Sequence, residues 1–167
     1  NPSFEAGLKY WGYMCYAQNT VALQYTDFHQ IDNTVARTGS KSLRLRAMPF
    51  RDPLMIGTFT LPLVPQANYT LSFYAKGSLP TSLNLNVAAL SRAGSLFDVS
   101  VVGFSVNEQW QRFNISFTAT ELFSSIYFYG QISASGSEGA VWLDDVQLEQ
   151  GAMTDFTSAP ASVALTS

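Results

Sequence analysis

The side chains in this sequence that could do acid–base or nucleophilic chemistry are few: one histidine, one cysteine and twelve carboxylates. With His29 as the single histidine, a histidine-clustered zinc site is excluded, and any Ser-His-Asp triad would rest on that one residue. His29 lies beside Asp27 and Phe28 in a polar, Tyr-rich stretch and reads as a surface or loop residue. Cys15 has no partner for an internal disulfide and reads as a small buried hydrophobe. The chain has no G-x-S-x-G elbow, no G-x-G-x-x-G turn and no P-loop. Glycoside cleavage needs two carboxylates flanking the scissile bond, and twelve acids could supply them. In the run Asp144-Asp145-Val146-Gln147-Leu148-Glu149, strand alternation puts Asp145 and Glu149 on one face. Alternation also places Asp144 with Trp142, Val146 and Leu148, on what should be the core face, with no Lys or Arg near it in sequence. A buried carboxylate needs a shell of hydrogen bonds or a metal ion. Glu5, after the apolar Phe4, raises the same question.

Charge narrows the partners. Only 13% of residues are charged, against about 25% in ordinary soluble domains, so Ser, Thr, Asn, Gln and Gly must build much of the surface. Net charge is −3 and there is no Lys/Arg run, so the electrostatic footprint of a nucleic-acid binder is missing. Lys41, Arg44 and Arg46 form the longest basic cluster. Arg44 and Arg46 would share one strand face and read as a solvated pair. No apolar run is long enough to span a membrane. No signal peptide opens the chain, and its start at Asn1 reads as a domain taken from a longer polypeptide.

The elements that must position these residues are strands. Leu43, Leu45 and Ala47 alternate with Ser42, Arg44 and Arg46. Tyr69, Leu71, Phe73 and Ala75 alternate with Thr70, Ser72, Tyr74 and Lys76. Leu83, Leu85 and Val87 alternate with Ser82, Asn84 and Asn86. Phe113, Ile115 and Phe117, and later Ile126 and Phe128, continue the pattern. Turn residues such as Thr38-Gly39-Ser40, Pro65-Gln66-Ala67-Asn68 and Lys76-Gly77-Ser78 separate the runs, roughly ten to fifteen residues apart. This predicts an all-β, two-sheet antiparallel β-sandwich. Residues 12–37 alternate weakly, and one strand is expected near Val21–Tyr25. Residues 1–158 read as one domain and 159–167 as a linker or edge segment leading to another.

If the phase holds, Tyr74, Asn84, Asn86, Tyr127, Tyr129 and Gln131 point outward, giving one surface of rings and amides. Phe50-Arg51-Asp52 offers a second candidate on a loop, where Phe50 supplies a ring and Arg51 a guanidinium for hydroxyls or an acidic sugar. Trp11, near Tyr13 and Tyr16, reads as structural.

Several segments, in order, carry a resemblance. Asn1-Pro2-Ser3-Phe4-Glu5-x-Gly7 with Trp11, then Thr38-Gly39-Ser40-Lys41-Ser42-Leu43-Arg44-Leu45, then Tyr69 to Gly77, then Glu108-x-Trp110-x-Arg112-Phe113, and Val141-Trp142-Leu143-Asp144-Asp145-Val146-Gln147-Leu148-Glu149-x-Gly151 together resemble carbohydrate-binding modules of families four, nine, sixteen and twenty-two. The resemblance spans nearly the whole chain. It implies jelly-roll topology and a structural calcium ion joining the chain ends. The side chains of Glu5 and Asp144 and carbonyls near Ser3 and Lys41 would be its ligands. The bland alternative is an Asp144 that accepts backbone N–H bonds. The resemblance further implies a non-catalytic, secreted or cell-surface bacterial module, monomeric as a domain, that binds a polysaccharide or oligosaccharide and targets an enzyme in the same polypeptide. The last strand departs from the E-x-D-x-x-E pattern of jelly-roll glycosidases. The ending Gln147-Leu148-Glu149-x-Gly151 with Thr154 and Phe156 also resembles phage tail and surface proteins, which offers a structural or adhesion role instead.

Overall fold

The computed structural model describes residues 3–9, 11–15, 29–47, 54–58, 61–79, 81–90, 96–120, 123–131 and 139–156. The alternating runs all form strands, and no helix occurs among the described residues: β1 (Trp11–Cys15), β2 (His29–Asp32), β3 (Ser42–Ala47), β4 (Leu54–Thr58), β5 (Leu61–Pro62), β6 (Asn68–Gly77), β7 (Thr81–Leu90), β8 (Leu96–Val106), β9 (Gln111–Thr118), β10 (Phe123–Gln131) and β11 (Gly139–Gln150). They build two antiparallel sheets. The front sheet runs β1-β4-β10-β7-β8, with β5 also on β10, and the back sheet runs β2-β3-β11-β6-β9.

One face of each strand is apolar, so the sheets close on each other. Leu71, Phe73 and Ala75 of β6, Leu43 and Leu45 of β3, and Val141 and Leu143 of β11 meet Leu83 of β7 and Ile126 and Phe128 of β10. Phe73 lies at the centre. Its ring centroid is 5.1 Å from Phe128 and 5.4 Å from Phe104, both edge-on and both from the front sheet, and 5.8 Å from Phe113 beside it. Edge-to-face pairs of this kind add to area burial. Trp11 is structural as expected: it is buried between Phe4 and Phe128, at 5.1 and 6.1 Å.

Two expectations change. His29 is 2% exposed, not a surface residue, because it is paired with Leu45 at the start of β2. In β11 the phase is not constant. Val141 and Leu143 face the core and Trp142 faces out, whereas beyond Asp145 it is Val146 and Leu148 that pack against the core. The ladder to β6 slips between Asp144 and Gln147, and Asp145 adopts φ 52°. This bulge reverses the phase, as an extra residue in a strand must. Asp144 is therefore buried on the outer side of the back sheet, not in the core. The strand expected near Val21–Tyr25, the side chain of Cys15 and the segment 159–167 lie outside the described residues.

The packing of Phe73 gives a test. Phe73→Ala removes a ring touching both sheets and should lower stability by about 3–5 kcal/mol, seen as a lower urea midpoint with an unchanged slope.

Candidate functional site

Because the core takes one face of each sheet, the other two faces are available for recognition. On the front sheet, Asn84 and Asn86 alternate with the buried Leu83, and Tyr127 and Tyr129 alternate with the buried Ile126 and Phe128. The register makes these positions neighbours: Tyr127 is opposite Asn86, Tyr129 opposite Asn84, and Gln131 opposite Ser82. On β8 the same rows continue to Val101, Gly103 and Ser105, the latter two exposed. On the other side Tyr127 is opposite Gly57, which is opposite Gly12. Two glycines side by side put no bulk next to Tyr127. Five of the residues expected at a sugar surface thus stand at neighbouring positions of the front sheet, and their side chains lie outside the described part. Phe50 and Arg51 lie outside the described residues altogether.

Tyr74 does not join them. It lies on β6, in the back sheet, and the Arg37 guanidinium carbon sits 3.4 Å from its ring centroid. The surface expected from strand phase is split between two sheets, because phase reports in or out and not which sheet a strand enters.

The back sheet shows what surrounds the candidate metal ligands. Asp144 Oδ2 accepts N–H bonds from Arg37 (2.8 Å) and Thr38 (3.2 Å), and its Oδ1 accepts the Asp145 N–H at 2.8 Å. Burial drives the Asp144 carboxyl up to about 6; the Arg37 N–H opposes this, and the adjoining Asp145 charge adds to it. Asp145, 1% exposed, accepts from the Arg37 guanidinium and from Thr38 Oγ1, both at 2.5 Å. Glu5 closes on the other end of the same segment. Its Oε1 accepts the Ser40 and Lys41 N–H groups at 2.8 and 2.9 Å, and its Oε2 the Ser40 hydroxyl at 2.8 Å. A Cβ at Gly39 would collide with that carboxylate, and Gly39 has φ 64°. Lys41 Nζ donates to the Glu5 carbonyl at 2.8 Å. Glu5 and Asp144 therefore both grip residues 37–41. The alternative raised for Asp144, a shell of backbone N–H donors, is present. Among the described residues Glu5 Oε2 and Asp144 Oδ1 each accept one hydrogen bond, which leaves each a further lone pair. These hard oxygens fit calcium in kind, with the Lys41 ammonium already on one carbonyl. Among the described residues no three His, Cys, Asp or Glu side chains cluster to hold a metal.

Sequence reading missed Arg37 and Asp32. Arg37 stands 108 residues from Asp145, so no local spacing signals the pair. Asp32 accepts the Trp142 indole N–H at 2.8 Å, the Thr34 N–H and hydroxyl at 2.7 Å each, and the Val35 N–H at 3.2 Å. The Asp-x-Thr spacing is the one available sign of this turn.

No family model and no curated protein matches the sequence. The fold is matched among solved structures. A family 61 carbohydrate-binding module solved with β-1,4-galactotriose superposes with a TM-score of 0.62 at 16% identity, covering 90% of this chain and 96% of that one. The N-terminal cellulose-binding domain of Cellulomonas fimi β-1,4-glucanase C gives 0.60 at 15%, covering 89% and 93%. The enzymatically active domain of tailspike protein 4 of bacteriophage CBA120 gives 0.61 at 16%, with 90% of this chain but 21% of that one. The architecture is the jelly-roll sandwich shared by these carbohydrate-binding modules. At such identity the likeness concerns the fold.

The Asp32 turn predicts a pH dependence. Burial works to raise its carboxyl, but the bonds from Trp142, Thr34 and Val35 prevail and hold it below the ordinary value. A depressed carboxyl stabilises the fold above its unfolded pKa of about 4 and loses that contribution as pH falls through its folded value. Asp32→Ala should be less stable than wild type by about 1–3 kcal/mol at pH 7. The gap should narrow below about pH 4, as followed by urea denaturation at stepped pH.

Proposed function

We propose that this chain is a non-catalytic module that binds a polysaccharide or oligosaccharide through the outer face of the front sheet and brings an attached polysaccharide-degrading domain to its substrate. The supporting observation is the register of β7 and β10, which aligns Tyr127 with Asn86 and Tyr129 with Asn84 beside Gly57 and Gly12. Sugar rings present flat C–H faces that stack on aromatic rings, and hydroxyls that amides can bind. Aromatic surface with a few placed polar groups is the general form of such sites. The carbohydrate-binding modules that share the fold support this reading. The sandwich would act outside the cell or at its surface, as a monomeric unit.

Affinity gel electrophoresis against a panel of neutral polysaccharides tests it. One or more glycans should retard the protein, and Tyr127→Ala and Tyr129→Ala should each weaken retardation at least about tenfold, or roughly 1.4 kcal/mol. If no glycan retards it, the reading fails and a structural or adhesion role takes its place.

Calcium is part of the same proposal, with the side chains of Glu5 and Asp144 and the main chain near Ser3 and Lys41 as ligands. A bound ion would supply positive charge where two carboxylates grip one loop. Calcium at about 100 times its Kd should raise Tm by about 5–10 °C, chelator should reverse this, and Glu5→Ala should abolish it. A Tm indifferent to both would leave the loop held by hydrogen bonds.

A further inference from the structure

We propose that the outer face of the back sheet carries a second, separate site, one for an anionic saccharide, with a sugar ring on Trp142 and its carboxylate or sulfate on Arg44, while Lys76, across the ring from Arg44, adds positive charge at the edge of the groove. The register sets one row across three strands and the edge: Gln30 of β2, Arg44 of β3, Trp142 of β11 and Lys76 of β6. Arg46 and Ala140 form the next pair. Between them is a groove of about 270 Å³ lined by Arg44, Arg46, Ser78, Gly139, Ala140 and Trp142. This is slightly below the range of about 300–1,000 Å³ that takes a drug-sized ligand, a scale suited to one or two sugar units. Gly139 and Ala140 are the smallest residues of its lining, and Trp142 is the aromatic one.

The groove is equipped for a ring and a charge. Trp142 is half-buried and fixed, since its indole N–H donates to Asp32 at 2.8 Å, which leaves ring surface as what it offers a ligand. Lys76 Nζ lies 5.8 Å from that ring. Among the described residues Arg44 makes no ion pair, and Lys76 none beyond its place over the ring. Guanidinium groups bind carboxylate and sulfate oxygens in pairs.

The rest of this face is already occupied, which sets the groove apart. Arg37 is taken by Asp145 and covers Tyr74. Arg112 donates to Ser72 Oγ at 3.0 Å and to the Thr154 carbonyl at 2.7 Å. The segment 151–156 is held there as well, because Thr154 donates to Glu149 through both its N–H and its hydroxyl. Ser72 and Thr70 are buried beneath it. Six of the nine Lys and Arg residues of a chain of net charge −3 (Arg37, Lys41, Arg44, Arg46, Lys76 and Arg112) stand on this one sheet or its covering loop, and among the described residues Asp32 is the carboxylate bonded to Trp142. A short groove in an acidic protein suits a charged sugar better than a nucleic acid, which needs a continuous basic track.

The test is isothermal titration with an oligogalacturonate, a sulfated galactan oligosaccharide and its desulfated form, with fluorescence of wild type and Trp142→Phe in parallel. At least one charged oligosaccharide should bind, the desulfated form at least tenfold more weakly than its parent. The first two probes distinguish carboxylate from sulfate. Binding should quench Trp142, weaken as salt rises, and fall at least tenfold in Arg44→Gln and in Lys76→Gln, each checked for an unchanged Tm. Tyr127→Ala should leave it unchanged, which separates this site from the front-sheet proposal: either can fail while the other stands. The inference is overturned if neither charged sugar binds, if Arg44→Gln and Lys76→Gln bind like wild type, or if a single-stranded oligonucleotide or polyglutamate binds as tightly at the same residues.

Discussion

The back of this molecule is organised by two adjacent buried aspartates. Asp144 and Asp145 are 0% and 1% exposed, and a buried carboxylate is tolerable where its oxygens find donors. The donors come from one loop: N–H groups of Arg37 and Thr38 for Asp144, and the Arg37 guanidinium and Thr38 hydroxyl for Asp145. To present two consecutive carboxylates to one loop, the strand must break its alternation, and it does so at the left-handed Asp145. A positive φ in a non-glycine residue persists where its surroundings hold it, and the ion pair with Arg37 does that. The same bulge puts Val146 and Leu148 back against the core, so the polar anchor and the apolar packing of β11 depend on each other.

The loop held by the aspartates has further consequences. Its other end is gripped by Glu5, so the segment 3–9 is tied to β11 by way of the same loop. Its entry turn, at Asp32, fixes Trp142, and its Arg37 covers Tyr74. One loop therefore decides which aromatic ring on the back sheet is covered and which is left beside the groove.

The sandwich was legible in the sequence because period-two alternation is a local signal, and the core residues Leu43, Leu71, Phe73, Leu83 and Phe128 follow from it directly. Pairing is not local. Tyr74 has the same outward phase as Asn84 and Tyr127, yet β6 enters the other sheet. The phase error at Asp144 has a similar origin: a bulge leaves no composition signal beyond two consecutive acids. His29 looked exposed because its sequence neighbours are polar, while its partner across the ladder is Leu45. Arg44 and Arg46 do share a face, as alternation says, but Trp142 beside them becomes visible only through the β3–β11 register.

The two outer faces differ in chemistry for a reason that lies in the fold. Of the acids on the back sheet, Asp145 is paired with Arg37, Glu149 accepts from the 151–156 segment and Asp32 accepts from Trp142. Around the groove, Arg44, Arg46 and Lys76 outnumber the Asp32 carboxylate that holds Trp142. The front sheet rows combine amides, phenols and glycines and carry no charge at the positions of Asn84, Asn86, Tyr127 and Tyr129. Stacked sheets stand about 10 Å apart, so these faces look in opposite directions. A single stiff glycan cannot lie on both at once, and linkage through one chain would bring no gain in effective concentration. Two sites so placed would instead bridge separate chains, one neutral and one acidic, as in a mixed matrix.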